Sequence, residues 1–181
     1  MKAILISIQS KRVEKICSGK KTIEVRKNYP KLETPFKCYI YMTKAKPYWF
    51  EFVGGGKMRA RNGMVIGEFV CSEIEPYAEY ELLYGLDEIS DSRVEEYSCV
   101  SIDELLRYKG KNDLLYGWHI TDLKIYDKPK ELSGFYGYKK CKSCMSGYKS
   151  TACIFDEECK VPYKISRPPQ SWCYVEELQN G

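Results

Sequence analysis

The chain of 181 residues has a single histidine, His119, so any mechanism that needs an imidazole must use it. The alternative role for a lone strand histidine is structural packing. No apolar run approaches the ~20 residues needed to cross a membrane as a helix. The opening stretch Met1–Gln9 has too short an apolar run for a signal peptide, and no small-residue cleavage site follows it. It reads as a first buried strand. A cytoplasmic protein is therefore expected, with its nine cysteines reduced or metal-bound rather than paired in disulfides. The length fits one domain carrying an insertion, or one domain and a small module.

Tyrosine is abundant, at 16 residues, and suits both sheet packing and stacking on bases. The net charge of +4 hides an asymmetry. Residues 1–62 carry 15 basic and 4 acidic side chains, a net of +11. Residues 63–134 carry 7 and 16, a net of −9, and residues 135–181 carry 7 and 5, a net of +2. A basic first third suits a phosphate-bearing partner. Packing of the basic third against the acidic third would instead neutralise both.

Along the chain, Ala3–Ile8 reads as a strand and Ser10–Ser18 as a short helix stopped by Gly19. Strands are expected at Lys21–Lys27, Phe36–Thr43, Met64–Ile74, Tyr116–Tyr126 and Cys173–Glu176. Gly67, inside the clearest of them, marks a bulge or a close backbone approach. Residues 44–62, with Gly54-Gly55-Gly56 among Lys57, Arg59 and Arg61, read as a mobile basic loop or a wide hairpin connection. Short helices are expected at Ser92–Tyr97 and Ser101–Tyr108, the latter opened by a Ser101/Glu104 capping box and stopped by Gly110. This pattern predicts an α+β fold built on a small β-barrel with short flanking helices.

The run Gly19-x-Lys21-x-x-Glu24-x-Arg26 concentrates charge on one short element. Thr22, Glu24 and Arg26 share one face of the strand, and Lys21, next to the Gly19 turn, can swing to either. Two cations and a carboxylate make a candidate anion or nucleobase site. A surface salt-bridge ladder is the plainer reading. Lys21 can act as a base if burial strips its proton, or as a phosphate contact if hydrated. Arg26 offers a planar fork for a phosphate or a guanine edge, or for Glu24 itself. Glu24 can orient Lys21, accept from a cytosine amino group or serve as a general base. Lys21 and Glu24 are the catalytic candidates. Trp118 and His119 point to opposite faces of a late strand, so one lines the cleft while the other packs. Arg167-Pro168-Pro169-Gln170-Ser171-Trp172 is a rigid turn in which Trp172 can stack on a base or close the core, and Gln170 or Ser171 can read the base edge.

The charged run, preceded by a strand and short helix, resembles the signature of ASCH domains. Gly67–Val70 and His119–Leu123 also look like this family, and the resemblance covers roughly Lys2–Leu132 plus Trp172–Val175. ASCH domains belong to the PUA-like superfamily, small β-barrels whose members handle RNA, nucleosides or modified bases. The resemblance implies a PUA-like barrel with a cleft beside Lys21, Glu24 and Arg26. Some small members hydrolyse acylated cytidine such as N4-acetylcytidine, with a lysine at the position of Lys21, a threonine at that of Glu24 and a glutamate from a later helix. Here Glu24 replaces the presumed nucleophile, and Glu95 and Glu96 lie in roughly the region of the later glutamate.

Cys141-x2-Cys144-x8-Cys153-x5-Cys159 is a second signal, set in a lysine-rich stretch that is hard to build into a core. Structural zinc held by these four thiolates would fold the segment. Unbound thiols, an iron–sulfur cluster or a redox pair are the alternatives. Cys17, Cys38, Cys71, Cys99 and Cys173 read as small core residues. The expected organisation is a barrel over 1–133, a cysteine-rich, zinc-stapled insertion over 134–166, and a closing strand and tail over 167–181. The leading expectation is a module that binds RNA or a modified nucleoside through Lys21, Glu24, Arg26, Trp118, His119, Gln170, Ser171 and Trp172. The alternatives are an amidohydrolase on acylated nucleosides, a ribonuclease, or a protein-interaction module.

Overall fold

Strand β1, Lys2–Ile8, is apolar without alternation because both its faces are covered. Ile4, Ile6 and Ile8 enter one core with Val13, Ile16, Cys38, Ile40, Phe69 and Trp118. Ala3 and Leu5 enter a second, with Tyr39, Tyr41, Phe135 and Val175. The computed structural model describes residues 1–46, 48, 50–52, 58–79, 82, 93–139, 141 and 161–178.

Helix α1, Ser10–Cys17, buries Ser10, Val13 and Ile16. Gly19, at φ +72°, turns the chain back, and the Lys21 amide reaches the Lys15 carbonyl at 2.9 Å. Next come β2, Ile23–Arg26, and β3, Phe36–Met42. A hairpin of β4, Phe50–Phe52, and β5, Met58–Ala60, follows. This matches the hairpin form of the connection, and Gly54–Gly56 lie outside the described residues. Strand β6, Val65–Ala78, pairs with β7, Leu114–Lys130. Between them lie α2, Arg93–Ser98, and α3, Ile102–Lys109. Ser101 caps α3, its side chain accepting from the Glu104 amide, and Gly110 follows as its C-cap. Strands β8, Tyr136–Lys139, and β9, Val161–Lys164, form a second hairpin, and β10, Trp172–Glu176, completes the chain's elements.

The main sheet runs β10–β1–β3–β6–β7–β2, with β1 and β3 parallel and the other pairs antiparallel. This corrects the expected barrel. The fold is α+β, but the described sheet is open, with β10 and β2 as its two unpaired edges. Strand β2 is only four residues long, and two of them, Glu24 and Arg26, are charged and buried. Side chains bridge the gap instead. The Arg26 guanidinium donates to the Ser7 carbonyl of β1, and the Trp172 indole donates to Asn28 Oδ1.

The zinc-stapled insertion also finds no counterpart among the described residues, where no three His, Cys, Asp or Glu side chains are grouped to hold a metal. Of the four cysteines in that expectation only Cys141 is described, and it is half-buried. Cys144, Cys153 and Cys159 lie outside the described residues. What is described of this segment is its base, where Phe135 and Ile165 pack into the core behind β1 and β3.

Strands β6 and β7 extend beyond the expected ranges because they stabilise each other, with register shifts that absorb their breaks in alternation. Gly67 lies at one such shift, where an added Cβ would meet the Lys124 carbonyl oxygen at 2.5 Å. That oxygen is backbone and cannot swing aside. Gly67→Ala is therefore expected to destabilise the protein by about 1–3 kcal/mol, read as a lower urea midpoint at unchanged slope.

Candidate functional site

Pairing with β7 fixes which way β2 faces: Ile23 stands opposite His119 and Glu24 opposite Trp118. Ile23 and Val25 pack on Val94, Val100 and Leu105 from the α2–α3 region. Glu24 and Arg26 take the other face, and Lys21, just before the strand, swings to join them. All three are buried, at 2%, 4% and 7% exposure for Lys21, Glu24 and Arg26. Such burial rules out the surface ladder.

Lys21 Nζ donates to the carbonyls of Ile23 at 2.7 Å and Ser98 at 2.9 Å, and lies 3.1 Å from Glu24 Oε2. The two carbonyls take hydrogen bonds and the carboxylate adds an ion pair, with Glu24 Oε2 making no hydrogen bond among the described residues. Burial pulls the Lys21 pKa below its ordinary value, and Glu24 opposes that shift. Burial pushes the Glu24 carboxyl upward, but Lys21 and Arg26 outweigh it and hold the group below its ordinary value. Arg26 Nη2 lies 2.9 Å from Glu24 Oε1 and 2.7 Å from the Ser7 carbonyl oxygen, while Nη1 reaches Ser171 Oγ at 3.3 Å. Arg26 Nε has no hydrogen-bond partner among the described residues.

The triplet walls a cavity of about 450 Å³ in the gap between β2 and β1. Gln9, Lys11 and Arg12 at the start of α1 form one side, Glu104 and Tyr108 of α3 another, and Gln170 and Ser171 a third. Arg12 is tied to Glu104 at 2.6 Å, a direct pairing of the basic and acidic thirds. Lys27 lies over the Tyr108 ring at 5.0 Å.

Five of the candidate residues thus meet at one cavity: Lys21, Glu24, Arg26, Gln170 and Ser171. Trp118 does not line it; it is fully buried in the core, edge-on to Phe36 and tilted against Trp172. Nor does Trp172, whose ring packs on that same core. His119 faces away from the cavity, with Nε2 3.2 Å from Glu75 Oε2. Glu95 and Glu96 are exposed, and the helical glutamate that does reach the cavity is Glu104. The capping box already placed Glu104 in the first turn of α3. Its opposition to Arg12 required the helix packing.

Removing one member strands the others. Glu24→Gln should leave Lys21 and Arg26 buried with weakened compensation, at a cost of about 3–5 kcal/mol at neutral pH. Because the folded-state pKa of Glu24 lies below its unfolded value, its contribution is present above the unfolded pKa. It is lost as pH falls through the folded one. Urea titrations from about pH 7 to pH 3 should show the wild type losing this increment on acidification, while Glu24→Gln shows a flatter acid limb.

Comparison with solved structures gives the ASCH protein of Zymomonas mobilis at TM-score 0.58 and 18% identity, covering 97% of this chain and 88% of that one. A tyrosine-to-phenylalanine variant of it matches at TM-score 0.57 and 18% identity, over 97% and 91% of the two chains. A serine-to-alanine variant matches at 0.58 and 17%, over 97% and 89%. At this identity the likeness is one of fold. Curated protein sequences give no match. The ASCH domain family itself matches residues 6–169, nearly the whole chain and the entire cavity wall apart from Gln170 and Ser171, and the protein belongs to that family.

Proposed function

We propose that this ASCH domain binds RNA and seats one nucleotide in the cavity beside β2. ASCH domains are generally RNA-binding. The observation that carries the reading for this chain is Arg26: a guanidinium held rigidly at the wall of a cavity of about 450 Å³, with its Nε unpartnered among the described residues. The volume lies in the range of small-ligand sites. Lys11 at the rim is exposed and supplies a mobile positive charge for a phosphate. Tyr108, 38% exposed, offers a ring face, and Gln170 offers both a donor and an acceptor.

The hydrolase alternative asks for a free base or nucleophile. Lys21 Nζ donates to two backbone carbonyls and pairs with Glu24, and Glu24 lies against a cation at each oxygen. Both charges are committed to one another, which favours binding over turnover.

Fluorescence anisotropy with a labelled single-stranded RNA, taken across a salt series, tests the reading. Lys11→Ala should weaken binding and lower the log–log salt slope by about one. Gln170→Ala should weaken it without changing that slope. Affinity unchanged in both variants would refute a nucleotide at this site. Release of product from an acylated nucleoside would move the protein to the hydrolase class.

A further inference from the structure

A second cavity, of about 280 Å³, lies beside the first and shares Ser7, Thr43 and Gln170 with it. Tyr41, Lys44, Pro168 and Pro169 complete its wall. The Pro168–Ser171 strap crosses the end of β1 and is pinned there. The Ser7 hydroxyl donates to the Pro169 carbonyl at 2.6 Å, and the Ser7 amide donates to the Ser171 carbonyl at 2.9 Å. The opposite wall is fixed too. Asn62 Nδ2 donates to the carbonyls of Thr43 and Ala45, and Ser10 Oγ donates to that of Ala45.

This clamp holds Lys44 in place while its side chain stays exposed. The lysine stem lies across Gly63, where an added Cβ would come within 2.8 Å of Lys44 Cε. Thr43 lines both cavities, and its Oγ1 is buried and without a hydrogen-bond partner among the described residues. A buried hydroxyl left unsatisfied costs free energy that a ligand atom can recover.

We propose that the two cavities form one groove and that the second takes the neighbouring nucleotide of the same RNA strand, with Lys44 on a phosphate and the Thr43 hydroxyl bonding the sugar–phosphate link between subsites. The proposal rests on the RNA reading of the first cavity and adds the length of its ligand. A lysine on a pinned segment supplies a point charge. The rings of Pro168 and Pro169 supply flat apolar surface against a ribose or base.

The test compares uridine monophosphate with a uridine trinucleotide by calorimetric titration. The trinucleotide should bind at least about tenfold more tightly. Lys44→Ala should abolish most of that gain and leave the mononucleotide affinity where it was. Thr43→Val, nearly isosteric, should lower trinucleotide affinity while thermal stability holds or rises, because the hydroxyl it removes has no partner to lose. Equal affinities for the two ligands, or an equal loss on both in Lys44→Ala, would overturn the second subsite and leave the first standing. Absence of binding by either ligand would overturn both.

Discussion

Burying a lysine, a glutamate and an arginine within one short stretch costs several kcal/mol per ion unless each charge is matched. Here the matching groups come from elements that no strand pairing joins. Lys21 takes the Ser98 carbonyl at the end of α2, where a cation complements the helix dipole. Arg26 takes the Ser7 carbonyl of β1 and the Ser171 hydroxyl just before β10. Glu24 sits between the two cations and makes their coexistence possible. The Thr22 amide adds a bond to the Tyr97 carbonyl. Four parts of the chain are thereby tied together at the place where a closed sheet would have used a ladder.

The cavity follows from that substitution. A strand-to-strand ladder brings backbones within about 5 Å and leaves no room between them. Side chains as long as arginine hold β2 and β1 further apart, and the remaining space is lined by whatever flanks them. Those flanks bring polar side chains from the start of α1, from α3 and from the strap before β10, beside the apolar Val100 and Leu105. The site is thus the unfilled part of a seam closed by charges.

Much of this was legible in the sequence because it is local. Gly19 announced the turn that delivers Lys21, the β-branched residues announced β2, and the alternation put Glu24 and Arg26 on one face. The capping residues of α3 and the glycine at the β6 irregularity were equally readable, since each depends on a few neighbours. Strand order was not readable. A count of strands in a meander does not reveal that the edges β2 and β10 stay unpaired, because that depends on what the buried charges bind at a distance. Trp118 and Trp172 were ambiguous for the same reason: an indole suits a base or a core, and only the packing of Phe36 and Tyr174 around them places Trp118 inside and Trp172, half-buried, against it. Arg12 and Glu104, more than ninety positions apart, carry no pattern that joins them.

The division of labour within the site has a consequence for how such a domain can vary. Lys21 is held by two backbone carbonyls and by Glu24, and Glu24 sits buried between Lys21 and Arg26, so changes there act first on the fold. Lys11, Tyr108, Gln170 and Lys44 are exposed at the two cavities, and their replacement leaves the buried cluster intact. Ligand preference can therefore drift through these rim positions, which come from separate segments of the chain, while the compact charged motif stays fixed. Arg26 stands between the two classes. Its terminal nitrogens hold the seam, and its buried Nε has no hydrogen-bond partner among the described residues. The same side chain thus lines the cavity and ties β1, β2 and the strap together, so that the wall of the site and the seam the sheet leaves open are one structure.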